Sequence, residues 1–168
     1  MNLSEIDRTT TDMKSNEALR VEALRAGSRS ASVETAMAAI GSIDLSAVKR
    51  KVVDEKGWSE EIADYAELRY RRFLCMHLLN AQLLLVPPPD IDAFWHQHIL
   101  FTRKYARDCE KAFGEFLHHN PASGAKDEAG ELQRGVVETA RFYADVFGEN
   151  YLAMEPEGLS SSWVELFD

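Results

Sequence analysis

Residues 86–100 read VPPPDIDAFWHQHIL, three prolines followed by a segment whose apolar residues have a helical spacing. Proline lacks an amide proton and restricts the residue before it, so this run ends any preceding regular element. Asp90 has the properties of a helix N-cap, and Asp92 falls in the first turn, where the helix dipole favours acidic residues. The spacing of Ile91 and Phe94 then predicts an amphipathic helix.

Four further segments have the periodicity of helices. They are residues 46–57, a long helix over 59–80 with Ser59 as its N-cap, a segment over 103–116, and 131–147 with Gly148 after its end. Serine at an N-cap and glycine after a last turn are both typical of helix ends. The sequence contains no repeat and no convincing strand pair. It therefore predicts an all-α protein, an irregular bundle of about five or six helices in a single domain.

The length of 168 residues suits one domain with its own core. Residues 1–40 are predicted to be a poorly ordered or short-helical N-terminal extension, because the segment 27–39 is rich in serine and alanine. The helical domain is expected over residues 41–150. Residues 151–168, which mix aromatic and acidic side chains, are expected to form a C-terminal tail.

The chain is acidic, with a formal net charge of −9. This charge argues against nucleic-acid binding, which needs a basic surface to neutralise phosphates, and against binding to anionic membranes. Two cysteines, Cys75 and Cys109, indicate reduced thiols in a cytoplasmic protein rather than a disulfide framework. The expected partner is an unidentified protein or a small molecule.

Four of the five histidines lie between residues 96 and 119, and Cys109 lies among them. Histidine and cysteine supply the commonest nitrogen and sulfur ligands of transition metals. His96 and His98 project about 200° apart on a helix, so they share one ion only if the helix ends or bends there. Asp92 and His96 share a helical face, and Asp92 is expected to bind the metal or to orient the imidazole.

A chain reversal near residues 101–102 would bring Tyr105 and Cys109 level with the histidines of the preceding helix. Two interpretations stay open at this point. The histidines and cysteine form a metal site, or they form a metal-free polar network that fixes helix packing, with the Trp95 region as a groove for a protein partner. A third, thiol chemistry at Cys109, competes with an inert buried cysteine. Motifs of serine hydrolases, zinc proteases and phosphate-binding loops are absent.

The motif of this region resembles that of the glycine-rich domain-containing protein family, over about residues 43–121. That motif reads approximately Pro-x-x-x-Val/Ile-Asp-x-x-Trp-His-x-His, then Tyr-x-x-Asp-Cys, then Gly-x-x-x-x-His. The positions identified as matching it are Asp92, Trp95, His96, His98, Tyr105, Asp108, Cys109 and His118. This chain lacks the glycine-rich tail of the family name. The resemblance implies a shared polar site and no particular activity, because the family has no settled one.

These observations predict a helical protein that binds a divalent transition metal, zinc or iron. The predicted metal ligands are His96, His98, Cys109 and His118. Asp92 and Trp95 are expected to support and wall the site. Tyr105 and Cys109 are the candidates for catalytic roles, as an acid/base group and as a nucleophile.

Overall fold

A computed structural model describes residues 32–120 and 128–153, and every regular element in these residues is an α-helix. The helices are, in chain order, α1 (described over residues 32–41), α2 (Ser46–Lys56), α3 (Glu60–Leu79), α4 (Pro89–Leu100), α5 (Thr102–Phe113) and α6 (Glu128–Phe147). The prediction of an all-α fold is confirmed. None of these described helices combines the length and the apolar composition needed to cross a membrane.

The chain divides into two compact units, Met1–Thr35 and Ala36–Asp168. Of the first unit only residues 32–35 are described, and they are helical. The predicted extension over residues 1–40 and the predicted tail over 151–168 therefore lie largely outside the described residues. The hydrophobic core and the histidine-rich motif belong to the second unit.

The core of the second unit begins within α1. Ala36 and Ile40 are buried in it, although both precede residue 41, the predicted start of the helical domain. Arg71 on α3 donates hydrogen bonds to the backbone carbonyls of Ile40 (2.9 Å) and Ile43 (3.0 Å). These bonds attach the last turn of α1 and the bend that follows it to α3.

Aromatic side chains of α3 and α4 form the centre of the core. The rings of Tyr70 and Phe94 lie 5.3 Å apart, as do those of Phe73 and Trp95, and all four side chains are buried. Burial of each such ring stabilises the fold by about 2–3 kcal/mol. Because this face of α4 is buried, Asp92 and His96 on another face of the helix remain accessible.

The start of α4 differs from the prediction at Asp90. The N-cap is Pro88, and Pro89 is the first helical residue, a position where the missing amide proton of proline costs nothing. The prediction that Asp90 caps the helix is wrong. Its carboxylate is buried and instead accepts a hydrogen bond from Nε of Arg69 at 2.6 Å. A partner 21 residues away outcompetes the local cap.

Helix α5 ends three residues before the predicted limit at residue 116. Its last residue is Phe113, and Gly114 follows with φ 72°, the left-handed conformation that terminates many helices. The Gly114 amide donates to the carbonyl of Glu110 at 3.0 Å. Residues 116–120 then continue without regular secondary structure. This early stop frees a short segment to cross back over α4.

Substitution Gly135→Ala is expected to lower the free energy of unfolding by about 1–3 kcal/mol, the usual cost of overpacking. A Cβ there would lie 2.8 Å from Cγ2 of Val86, so one of the two segments must move. The control is Gly130→Ala, where only the flexible end of Arg134 comes within 3.9 Å. That change is expected to stabilise α6 by up to about 1 kcal/mol. Urea unfolding of both variants tests this, and equal effects would contradict the packing argument.

Candidate functional site

The two histidines of the Trp-His-x-His motif lie in one uninterrupted helix and have different surroundings. His96 and His98 both belong to α4, which continues to Leu100. The side chain of His96 is 52% exposed, whereas that of His98 is 1% exposed. The angular separation expected for residues two apart on a helix therefore holds, and the helix does not bend to unite them.

His98 is held in a buried network between three helices. Its Nδ1 lies 2.9 Å from the hydroxyl of Tyr70 on α3, and its Nε2 lies 2.9 Å from a carboxylate oxygen of Asp108 on α5. Lys104 donates to the same oxygen at 2.6 Å. Burial lowers the pKa of His98, and Asp108 opposes that shift. A neutral ring that donates from Nε2 and accepts at Nδ1 satisfies both partners, so neither nitrogen is left for a metal.

His96 instead belongs to a second cluster, with Asp92 and His119. One donor atom from each of the three residues can be chosen so that all lie within 4.8 Å of one another. The Asp92 carboxylate lies 3.5 Å from Nδ1 of His96 and 2.8 Å from Nε2 of His119. Among the described residues this is the one group of three such side chains close enough to hold a metal ion.

Local and tertiary contacts each contribute part of this cluster. Asp92 and His96 are four residues apart on α4, which places them on one face of the helix. His119 comes from the segment that follows α5. Its ring packs 4.4 Å from the ring of Trp95 and 4.6 Å from that of His96.

Tyr105 connects α4, α5 and the segment that carries His119. Its hydroxyl accepts a hydrogen bond from Nε1 of Trp95 at 2.8 Å and donates one to the backbone carbonyl of Leu117 at 2.6 Å. Burial raises the pKa of Tyr105, so its phenol stays protonated at neutral pH and can fill both roles. The predicted proximity of Tyr105 to the motif is thus observed, with Leu117 as its second partner.

Cys109 is buried one turn after Tyr105 on α5. Burial raises the pKa of its thiol, an effect that hydrogen bonds with the Leu117 backbone and the Tyr105 hydroxyl oppose. A buried thiol with a raised pKa is a poor nucleophile. The other cysteine, Cys75, has its pKa raised to about 11 by burial alone. Neither thiol has the electropositive, accessible surroundings of a reactive cysteine.

The predicted ligands therefore separate into different environments. His96 is in the Asp92 cluster, whereas His98 is hydrogen-bonded elsewhere and Cys109 is buried on α5. The ring of His118 packs 4.9 Å from that of Phe116. The sequence interpretation missed His119. A signal for it was present, because Gly-x-x-x-x-His counted from Gly114 falls on residue 119 rather than 118.

Trp95 and His77 lie beneath this site. Trp95 is only 4% exposed, so its ring is part of the core and not of a surface groove for a partner. His77 on α3 packs edge-on against Phe73, with ring centroids 4.9 Å apart, and lies 6.1 Å from Trp95. Its Nε2 is buried with no hydrogen-bond partner among the described residues. Burial lowers the pKa of His77 to about 4.

The donor set of Asp92, His96 and His119 suits a divalent transition metal. Two imidazole nitrogens with one carboxylate oxygen occur in zinc enzymes and in iron sites with open coordination positions. Ligand atoms about 2.1 Å from a tetrahedral ion lie roughly 3.4 Å apart. The three donor atoms lie within 4.8 Å of one another, so they are near this separation.

The sequence profile of the UCP032817-like family matches residues 45–148, and the chain belongs to this uncharacterised family. The matched region runs from the residue before α2 to the glycine after α6, and includes the whole Asp92–His96–His119 cluster. No curated protein matches this chain significantly. No solved structure matches it either.

Proposed function

We propose that this protein binds a divalent transition metal, zinc or iron, through Asp92, His96 and His119. The observation that carries the proposal is the convergence of three donor atoms within 4.8 Å from two separate parts of the chain. Two of them share a helical face and are preorganised, and the third is packed against Trp95. Preorganised ligands favour binding, since less order must be imposed when the ion enters.

Three protein ligands leave coordination positions for water or a substrate. A structural zinc site uses four protein ligands, whereas catalytic sites keep one position open. The 52% exposure of the His96 side chain leaves a path from solvent to this position. When bound, such an ion would supply Lewis-acid chemistry if it is zinc or redox chemistry if it is iron. An open metal site with a small-molecule ligand is therefore favoured over a purely structural ion.

Elemental mass spectrometry on tag-free protein tests the proposal. We expect near-stoichiometric zinc or iron in the wild type, and loss of the metal in His119→Ala and Asp92→Asn. The matched control is His118→Ala, which removes the neighbouring histidine and is expected to retain the metal. An absence of metal even after incubation with Zn²⁺ or Fe²⁺ would contradict the proposal. Loss in His118→Ala but not in His119→Ala would favour the ligand set predicted from the motif.

A metal-free role is the second candidate, supported by the direct bond between Asp92 and His119 at 2.8 Å. Asp92 and His119 would then form a hydrogen bond that holds the segment after α5 against α4. The protein would in that case be a helical module that binds a protein partner. This alternative predicts that added Zn²⁺ leaves the melting temperature unchanged and that His119→Ala lowers it. Metal binding to the native state instead raises the melting temperature.

The resemblance to the glycine-rich domain-containing protein family rests on the motif from Asp92 to Cys109, and we propose it as a distant relationship. Both cysteines are free and buried, which supports a reducing compartment such as the cytoplasm.

A further inference from the structure

We infer that Tyr105 is a positioning residue for the metal site, which sets the place of His119 through the backbone of Leu117. The inference rests on the proposed metal-binding function and extends it to a residue outside the donor set. The Tyr105 hydroxyl forms hydrogen bonds with Trp95 and Leu117, and forms none with Asp92 or His96. Any effect of Tyr105 on metal binding must therefore be transmitted through the backbone from Leu117 to His119.

The three donors differ in how they are held. Asp92 and His96 are fixed relative to each other by one turn of α4. His119 lies on residues 116–120, which have no helix or strand to define their path. The position of this third donor relative to the other two consequently depends on how the segment is attached to the helices.

The attachment is a hydrogen-bond chain across three elements. Trp95 of α4 donates to the Tyr105 hydroxyl of α5, which donates to the Leu117 carbonyl, two residues before His119. Tyr105 is 1% exposed, so water does not readily replace these bonds if they are lost. The thiol of Cys109, one turn further along α5, is buried next to the same Leu117 backbone. The hydrogen bond from Tyr105 is the attachment that holds the Leu117 carbonyl on α5.

Without the Tyr105 hydroxyl, we expect the His119 ring to be held less precisely relative to Asp92 and His96, although it remains available as a ligand. Residues that orient metal ligands without touching the ion commonly change metal affinity 10–100-fold when they are substituted. We expect Tyr105→Phe to weaken the binding of Zn²⁺ or Co²⁺ by about this factor. The visible absorption bands of bound Co²⁺ should also shift, because the geometry around the ion changes.

A double-mutant cycle distinguishes this role from general destabilisation. The His119→Ala variant loses its metal on purification but keeps Asp92 and His96, whose weak residual affinity can be titrated with excess Zn²⁺ or Co²⁺. In this background Tyr105→Phe is expected to have no further effect on that residual affinity. The control is Tyr143→Phe, which removes another buried hydroxyl, bonded to Arg72 and outside the cluster. It should leave affinity unchanged. If Tyr105→Phe fails to fold, Cys109→Ala removes the buried thiol next to Leu117 and is expected to weaken binding in the same direction, because it opens space beside the segment that carries His119.

Wild-type affinity in Tyr105→Phe, or an equal loss of affinity with and without His119, would overturn the positioning role while leaving the metal site intact. Failure of the wild type to bind either ion would instead overturn the proposed function, and this inference with it. The same set of titrations therefore distinguishes a failure of the positioning role from a failure of the proposed metal site.

Discussion

Substitution Arg69→Met is expected to lower the free energy of unfolding by about 3–5 kcal/mol, because it leaves a buried carboxylate without its countercharge. The Arg69 and Asp90 side chains are each 1% exposed. Nε and Nη2 of the guanidinium bond to the two carboxylate oxygens at 2.6 and 3.3 Å. Its nitrogens also donate to the carbonyls of Tyr151 (2.9 Å) and Ala153 (3.3 Å). This one side chain joins α3, the start of α4 and the chain after α6.

Urea denaturation of a small series measures this effect. Adding Asp90→Asn to Arg69→Met should recover part of the stability, since a neutral amide costs less to bury than an unpaired carboxylate. The matched control is Lys51→Met, which breaks an exposed ion pair with Glu55 and is expected to have little effect on the free energy of unfolding, because solvent screens the pair. If Arg69→Met costs no more than the control, the buried pair is not a major source of stability.

Acidification from about pH 6.5 to about pH 4 is expected to remove up to about 3 kcal/mol of stability through His77 alone. Burial lowers the pKa of His77 to about 4 from the ordinary value of 6.5. Between these values the unfolded chain binds a proton that the folded protein does not. The contribution is therefore intact above pH 6.5 and is lost progressively as the pH falls toward 4.

Unfolding curves at several pH values, compared between wild type and His77→Leu, isolate this contribution. The variant removes the titrating group and keeps an apolar side chain against Phe73 and Trp95. Its stability should fall less steeply with acid than that of the wild type. The control His118→Gln removes an exposed histidine and is expected to keep the wild-type slope. Identical slopes for wild type and His77→Leu would show that His77 is not the group responsible.

The helices could be predicted from the sequence, but only part of the candidate site could. The N-cap bond from the Ile62 amide to Ser59 was predictable, since capping and periodicity act over three or four residues. The shared face of Asp92 and His96 follows from the same rule. The prediction that Asp90 is an N-cap failed because its partner, Arg69, lies on another helix.

Helical periodicity and capping residues are enough to predict the all-α class, the order of the helices and a histidine-rich segment that begins on α4. The packing of the helices selects which of these histidines come together. His98 has both nitrogens engaged by Tyr70 of α3 and Asp108 of α5. His119 lies within hydrogen-bond distance of Asp92, and the chain that carries it is held at Leu117 by a hydrogen bond from Tyr105. Helix signals act between near neighbours, whereas the pairing of side chains from different elements depends on how those elements pack.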